Sequence, residues 1–263
     1  MAVAPTGRPA RLPVVSIEVT PYDLTDTERR QIPLPQRPEP LMLPIHVGVV
    51  MDGNRRWAKK AGFANPGAGH DVGADHVEDL LGWCTSWRID HLTSYVLSAD
   101  NIRKRPRSQV DHLFGILADK LPQTVVRSER WALHVSGDLS LLPTAAADAL
   151  RAAEQETADR PAHLTMAIGY DPHGDIVEGI RRAIAAGATD IDEQTITAAL
   201  PGGPVKEIDL VIRTSGEQRL SGFFPWQTSN AEIVVSEKLW PDFTETDFAE
   251  ALSRYAERRS AVR

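Results

Sequence analysis

A single cysteine, Cys84, stands among 263 residues. No intrachain disulfide and no cysteine-built zinc site can form, and this thiol content suits a reducing compartment, so a cytoplasmic location is expected. Long apolar runs are missing as well. No stretch approaches the ~20 residues of a membrane span, and the N-terminus lacks the apolar segment of a signal peptide, so any membrane contact should be peripheral. The formal net charge is −7, which argues against nucleic acid as a partner and confines any anion site to a focused pocket. Neither G-x-x-x-x-G-K-[ST] nor G-x-G-x-x-G occurs, and nucleotide binding loses its best support.

What is present is a chain with 42% hydrophobic residues, enough for one large domain. Eight of the 19 prolines fall within the first 40 residues. Residues 1–43 therefore read as a proline-rich extension that cannot hold long helices or central strands, with Thr25 to Glu28 as a possible cap for one short helix. From residue 44 to 263, strand-like runs near 46–51, 91–97, 131–136, 163–169, 208–213 and 231–235 alternate with helical patterns. That alternation predicts an α/β fold, a mostly parallel central sheet of about six strands surrounded by helices. Val77, Leu80, Leu81 and Cys84 follow helical spacing, as do Val110, Leu113, Phe114 and Leu117. Most of the six tryptophans should serve packing.

The stretch "HVGVVMDGNRRWAKKAG", His46 to Gly62, joins a β-branched run to a helix beginning near Gly53, which puts Asp52 at a strand-to-helix turn. A helix start flanked by Arg55 and Arg56 favours a multiply charged anion such as a phosphate ester. Asp52 would repel that anion unless a hard cation bridged them, and Mg²⁺ is the cation usually held by one or two carboxylates plus substrate phosphates. Two further polar clusters follow strand ends, where open α/β sheets bind ligands: "SADNIRKRP", Ser98 to Pro106, and "RTSGEQRLS", Arg213 to Ser221. Arg213 and Arg219, with Ser215 and Ser221 nearby, suit charge-assisted binding of phosphate oxygens. His70, in "GAGHDVG", could donate to a phosphate or relay a proton.

Taken together, "HVGVVMDGNRRWAKKAG", "GHDVGADHVEDLLGWC", "LTSYVLSADN", "DLVIRTSGEQRLSGF" and "AEIVVSEKLWPDF" resemble the cis-prenyltransferase family in order and spacing. The resemblance covers roughly His46 to Arg259. It implies a homodimer, helices around a hydrophobic tunnel, Mg²⁺ as cofactor, and coupling of an allylic diphosphate to a second prenyl diphosphate. The aspartate-rich D-D-x-x-D pair of the common trans-prenyl synthases is absent. By the resemblance, Asp52, Asn54, Ser98 and Asn101 are expected at the chemistry. Gly53, Arg55, Arg56, Trp57, His70, Arg213, Arg219 and Ser221 are expected to bind substrate, with Arg103 or Arg105 filling one arginine position. Asp52 and Glu232 are expected to hold the metal.

Several positions depart from the family pattern. Its N-Y-G-G-R reads "GYDPHG" here, so His173 or nothing stands where an arginine is expected. Its E-N-W-x-R-P reads "DNIRKRP", one residue longer; its F-L-L-W-Q reads "FFPWQ", with Pro225 intruding; and an expected tyrosine is Asn230. These changes cluster around the second substrate, while the leaving-group half is intact. A minority of the family joins two allylic diphosphates head-to-middle into lavandulyl-type skeletons, and "GNRRW" with "SGFFP" resembles that group. The alternatives are regular head-to-tail condensation with isopentenyl diphosphate and a non-catalytic binding subunit of the same fold, against which Asp52 and Glu232 argue. Val96 stands where long-chain members tend to carry a smaller residue, so short products are expected.

Overall fold

A computed structural model describes residues 42–261, so the possible helix cap at Thr25 to Glu28 lies outside the described residues. The chain runs β1 (His46–Val50), α1 (Asn54–Lys60), α2 (Ala68–Ser86), β2 (His91–Ser98), α3 (Ala99–Lys104), α4 (Arg107–Ala118), α5 (Lys120–Arg127), β3 (Trp131–Ser136) and α6 (Thr144–Glu156). It continues with β4 (Ala162–Tyr170), α7 (Pro172–Ala185), α8 (Glu193–Ala199), β5 (Leu210–Arg213), β6 (Glu232–Val235) and α9 (Glu245–Ala261). The six strands form one parallel sheet in the order β3-β4-β2-β1-β5-β6. Each strand run seen in the sequence appears within a few residues of its expected place.

Why these segments form strands is visible in their burial. All five residues of β1 are buried, and so are all four of β5, the signature of central parallel strands covered on both faces. β1 lacks a side chain at Gly48 for a packing reason: a Cβ there would stand 2.6 Å from the ring of Phe223. The two amphipathic patterns become α2 and α4, burying Val77, Leu80, Leu81 and Cys84, and Val110, Leu113, Phe114 and Leu117 respectively. The main core joins these faces to Trp131, Leu133, Leu164, Ile212 and Phe248. A smaller one gathers Val50, Tyr170, Val211, Phe223 and Phe224. Strand order reverses at β1, which has β2 on one side and β5 on the other. A crevice beyond the carboxyl ends of β1 and β5 is the place such a topology offers a ligand.

At the opposite end of the sheet, four neighbouring strands each present a histidine. His46 pairs in register with His91, and His91 with His163, while His134 lies two residues along the strand beside His163 and so on the same face. The His91 and His163 rings stack with centroids 5.3 Å apart, and His134 Nε2 and His163 Nδ1 are 3.0 Å apart. His46 is fixed by Thr93 Oγ1 at 2.8 Å and the Glu207 carbonyl at 3.0 Å. Burial is the main reason that all four imidazoles resist protonation, with His46 lowered to about 3 and His134 to about 4. Since the folded values lie below the unfolded value near 6.5, the unfolded chain binds more protons as the pH drops. Stability is therefore fully present above about pH 6.5 and is lost progressively towards about pH 3. Melting temperatures measured across this range should fall, and His134→Gln should make the decline shallower; an equal slope in the variant would refute the assignment.

Candidate active site

Asp52 follows β1 after one intervening residue and is locked into place from two directions. Its N–H donates to Thr214 Oγ1 at 2.9 Å, the Thr214 hydroxyl donates back to the Asp52 carbonyl at 2.7 Å, and the Trp240 N–H donates to that same carbonyl at 3.0 Å. Gly53 then turns the chain at φ +108°, with its N–H donating to Asp52 Oδ1 at 2.7 Å. A side chain there would meet the Leu239 backbone at 3.1 Å, so both the left-handed conformation and the close approach require glycine.

The Asp52 carboxylate faces two arginines. Arg213 Nη2 lies 2.8 Å from Oδ2, and Arg56 Nη2 lies 3.7 Å from Oδ1. Burial pushes the Asp52 carboxyl up, but the hydrogen bond and charge of Arg213, with Gly53 N–H and Arg56, outweigh it and hold the group below the ordinary carboxylate range. Arg213 is itself buried; its Nη1 also donates to Ser221 Oγ at 2.9 Å and to the Arg219 carbonyl. The loop that supplies these partners contains three non-glycine residues in the left-handed region, Ser215, Ser221 and Phe224, at φ +80°, +51° and +42°.

Around this pair opens a polar cavity of about 850 Å³. Its lining includes Asp52, Arg55, Arg56, Ser98, Asn101, Arg105, Arg213, Arg219 and Ser221, so the three strand-end clusters do meet in one place. Ser98 doubles as the cap of α3, accepting from Asn101 N–H at 3.1 Å. Gly53, Asn54 and His70 line an adjoining cavity of about 470 Å³ that shares Asp52, Arg55, Arg56 and Arg105. Burial first, and then Arg105 and Arg55, lower His70 to about 4. Val96 borders both spaces and also a third, apolar pocket of about 50 Å³, which runs in among Met51, Val77, Leu113, Leu117 and Trp240.

Three expected residues are placed elsewhere. Trp57 is buried, stacks on Phe63 with centroids 5.7 Å apart and donates its indole N–H to Asp242 at 2.7 Å. It packs the back of α1 and does not line these cavities. Arg103 is exposed on α3, whereas Arg105, at the bend before α4, lines both polar cavities. The longer loop thus brings Arg105 to the site. Glu232 opens β6 level with Leu210, three residues and roughly 10 Å short of the cavity end. Its carboxylate instead pairs with Arg258 at 3.1 Å, so within one chain Glu232 is no ligand for a cation at Asp52. Sequence reasoning gave no role to Thr214 or to Tyr95, whose hydroxyl donates to the Ser221 carbonyl at 3.3 Å and whose ring lines the large cavity. Only their positions beside Arg213 and within "LTSYVLSADN" marked them.

The donor set fits Mg²⁺ in one way. Among the described residues no cluster of three metal-ligating side chains exists, and one carboxylate ringed by arginines cannot hold a hard dication alone. With the oxygens of a diphosphate completing the shell it can. Five arginines in one cavity supply the countercharge for such a ligand.

The family described as "Putative undecaprenyl diphosphate synthase" matches residues 50–262. The chain belongs to this cis-prenyltransferase family. The prenyltransferase is 40% identical to isoprenyl transferase 2 of Streptomyces coelicolor, over 82% of this chain and 88% of that one. It is 36% identical to the (2Z,6E)-farnesyl diphosphate synthase of Mycolicibacterium smegmatis, over 82% and 86%. The crystal structure of lavandulyl diphosphate synthase from Lavandula x intermedia, in complex with dimethylallyl diphosphate, superposes with a TM-score of 0.75 at 34% identity, covering 81% of this chain and 95% of that one. The enzyme is thus one that transfers prenyl groups. Among the described residues no helix is long and apolar enough to cross a membrane.

Two substitutions test the geometry. Asp52→Ala should lower turnover of an allylic diphosphate by about 10³-fold. It should leave the circular dichroism spectrum unchanged while lowering the melting temperature, because Arg213 keeps its Ser221 and Arg219 partners but loses its countercharge. Arg105→Ala should raise the KM for that substrate about tenfold or more, each lost charge-assisted contact being worth about 1.5–3 kcal/mol, while Arg103→Ala leaves it within about twofold; the reverse ranking in steady-state kinetics would overturn the placement.

Proposed function

We propose that this enzyme is a short-chain, Mg²⁺-dependent prenyl diphosphate synthase that joins an allylic diphosphate, such as geranyl or dimethylallyl diphosphate, head-to-middle to a second dimethylallyl diphosphate. The observation that carries the short-chain reading is Val96, which stands between an 850 Å³ polar cavity and an apolar pocket of only about 50 Å³. A close-packed wall does not yield readily to extra isoprene units. Bound Mg²⁺ would neutralise the charge that builds on the departing diphosphate. Asp52 holds that cation's side of the leaving group, Arg55, Arg56 and Arg105 take up phosphate oxygens beside it, and Arg213, Arg219 and Ser221 clamp the second diphosphate. The apolar walls keep water from the allylic cation.

The likeness to lavandulyl diphosphate synthase and the altered acceptor side support the irregular regiochemistry. The segment "GYDPHG" brings Asp171 and His173, rather than an arginine, into the cavity wall. Discrimination between two C5 isomers that share a diphosphate must come from contacts near the double bond, each worth about 1–3 kcal/mol. Changes confined to that wall can switch the acceptor and leave diphosphate binding intact. The regular reading, head-to-tail condensation with isopentenyl diphosphate, is favoured by the likeness to a (2Z,6E)-farnesyl diphosphate synthase. We further infer a cytoplasmic homodimer, supported by the edge strand β6 with Ile233 exposed, and a catalytic domain from residue 44 onward with residues 1–43 as an extension, supported by a family match that starts at residue 50.

The deciding experiment offers dimethylallyl and isopentenyl diphosphates in competition, with geranyl diphosphate as donor and Mg²⁺ present, and identifies the dephosphorylated alcohols. A branched dimethylallyl-derived alcohol is expected, no longer than about four isoprene units. A linear isopentenyl-derived alcohol as the main product would sink the head-to-middle assignment. Val96→Ala in the same assay should shift the products towards longer chains.

A further inference from the structure

Condensation of two prenyl diphosphates by either regiochemistry ends with the same obligation. The C1–O bond of the allylic substrate breaks and its electron pair leaves with the diphosphate, while the acceptor's π pair forms the new C–C bond. A tertiary cation remains on the acceptor, and a proton must leave an adjacent carbon so that the C–H pair becomes the product's double bond. Some group must receive that proton.

Most proton acceptors lining the 850 Å³ cavity are already engaged. Asp52 is held by Arg213 and the Gly53 N–H, Asp100 by Lys104 at 2.6 Å, and Glu217 by Arg219 at 2.7 Å. Asp171 caps α7, accepting from the Gly174 N–H at 2.7 Å. Arginines carry no acceptor at all. One remaining lining residue differs. His173 sits in the first turn of α7, lines the cavity, and makes no hydrogen bond or ion pair among the described residues. Its position is on the acceptor side, because Pro172 packs against the acceptor loop. A Cβ on Gly222 would lie only 3.1 Å from Pro172, and the neighbouring Ser221 is the hydroxyl that Arg213 holds. His70 is a poorer receiver, since it is half-buried, lowered to about 4, and lines the adjoining cavities instead.

We propose that His173 takes up the proton released in the condensation. This rests on the prenyl-transfer reading above and holds for either acceptor. A ring nitrogen of His173 becomes protonated as the double bond forms, and solvent at the open cavity removes the proton before the next turnover. The charged groups sharing the cavity with His173 are Asp171, Glu217, Arg213, Arg219, Asp52, Asp100, Arg55, Arg56 and Arg105.

The test uses the full-length enzyme with Mg²⁺, geranyl diphosphate and each C5 diphosphate, and compares the wild type with His173→Gln and His173→Ala from about pH 5 to about pH 9. The Gln variant should lose about 10²-fold in kcat while both KM values stay within about threefold. It should also lose whatever acid-side fall in kcat the wild type is found to have, and release more diphosphate than coupled product. Added imidazole should restore part of the Ala variant's rate. A Gln variant with wild-type kcat and an unchanged acid-side fall would overturn the proposal, and so would a rise in KM of tenfold or more without rescue by imidazole, which marks a binding role. A wild type inert towards every prenyl diphosphate pair would remove the prenyl-transfer reading itself, whereas an active wild type with indifferent variants removes only the role of His173.

Discussion

The contact between Arg213 and Asp52 governs the reactive end of this protein. Arg213 carries a permanent charge on a side chain only 4% exposed, and a buried charge needs a partner with good geometry and its remaining donors satisfied. Asp52 supplies the countercharge, and Ser221 and the Arg219 carbonyl take the other nitrogen. Because Asp52 follows β1 and Arg213 ends the adjacent strand β5, the pair ties the carboxyl ends of these two strands to one another. Thr214 repeats the tie through the backbone. The same carboxylate is therefore the structural counterion of a buried guanidinium while lying open to the cavity on its other side.

The sheet separates two kinds of polar chemistry by strand direction. At the carboxyl ends, charges of both signs converge on open space. At the amino ends the polar groups are closely packed imidazoles, kept neutral by burial and stacked strand to strand. Parallel topology makes this possible, since every strand contributes its start to one end and its finish to the other. The clustered imidazoles and the charged cavity thus belong to opposite ends of the strands of one sheet.

Much of this was legible in the sequence where a single physical rule dominated. β1 and β5 are short runs centred on Val and Ile with no alternation of polar residues, the pattern of a strand covered on both faces. α2 and α4 show their buried faces by spacing alone. The sites of failure are equally specific. Trp57 follows two cavity-lining arginines in the sequence, yet helical geometry turns it 100° or so further round, where it meets Phe63 and Asp242. Choosing between Arg103 and Arg105 required the path of the loop, because α3 ends at Lys104 and the bend alone decides which guanidinium returns to the cavity. Glu232 sits in a motif adjacent to the site in sequence terms, but strand register sends it to the far end of β6. Thr214 and Tyr95 act through hydrogen bonds whose partners are more than a hundred residues away, and no local pattern announces such contacts.

The acceptor loop holds Ser215, Ser221 and Phe224 in a backbone region that side chains disfavour, at a cost of about 1–3 kcal/mol each. Such a shape persists only while its surroundings enforce it. Here the enforcing contacts are the Lys238 carbonyl receiving the Ser215 N–H at 2.7 Å, the Arg213 guanidinium on Ser221, and the stacking of Phe224 on Tyr170 at 4.4 Å. All of these come from elements that must already be docked. The loop's shape is therefore set by its partners in the sheet and by the burial of Phe223 and Phe224, and not by local backbone preference. This wall of the cavity thus owes its shape to tertiary contacts, so a substitution at Tyr170 or Lys238 can reshape it from a distance.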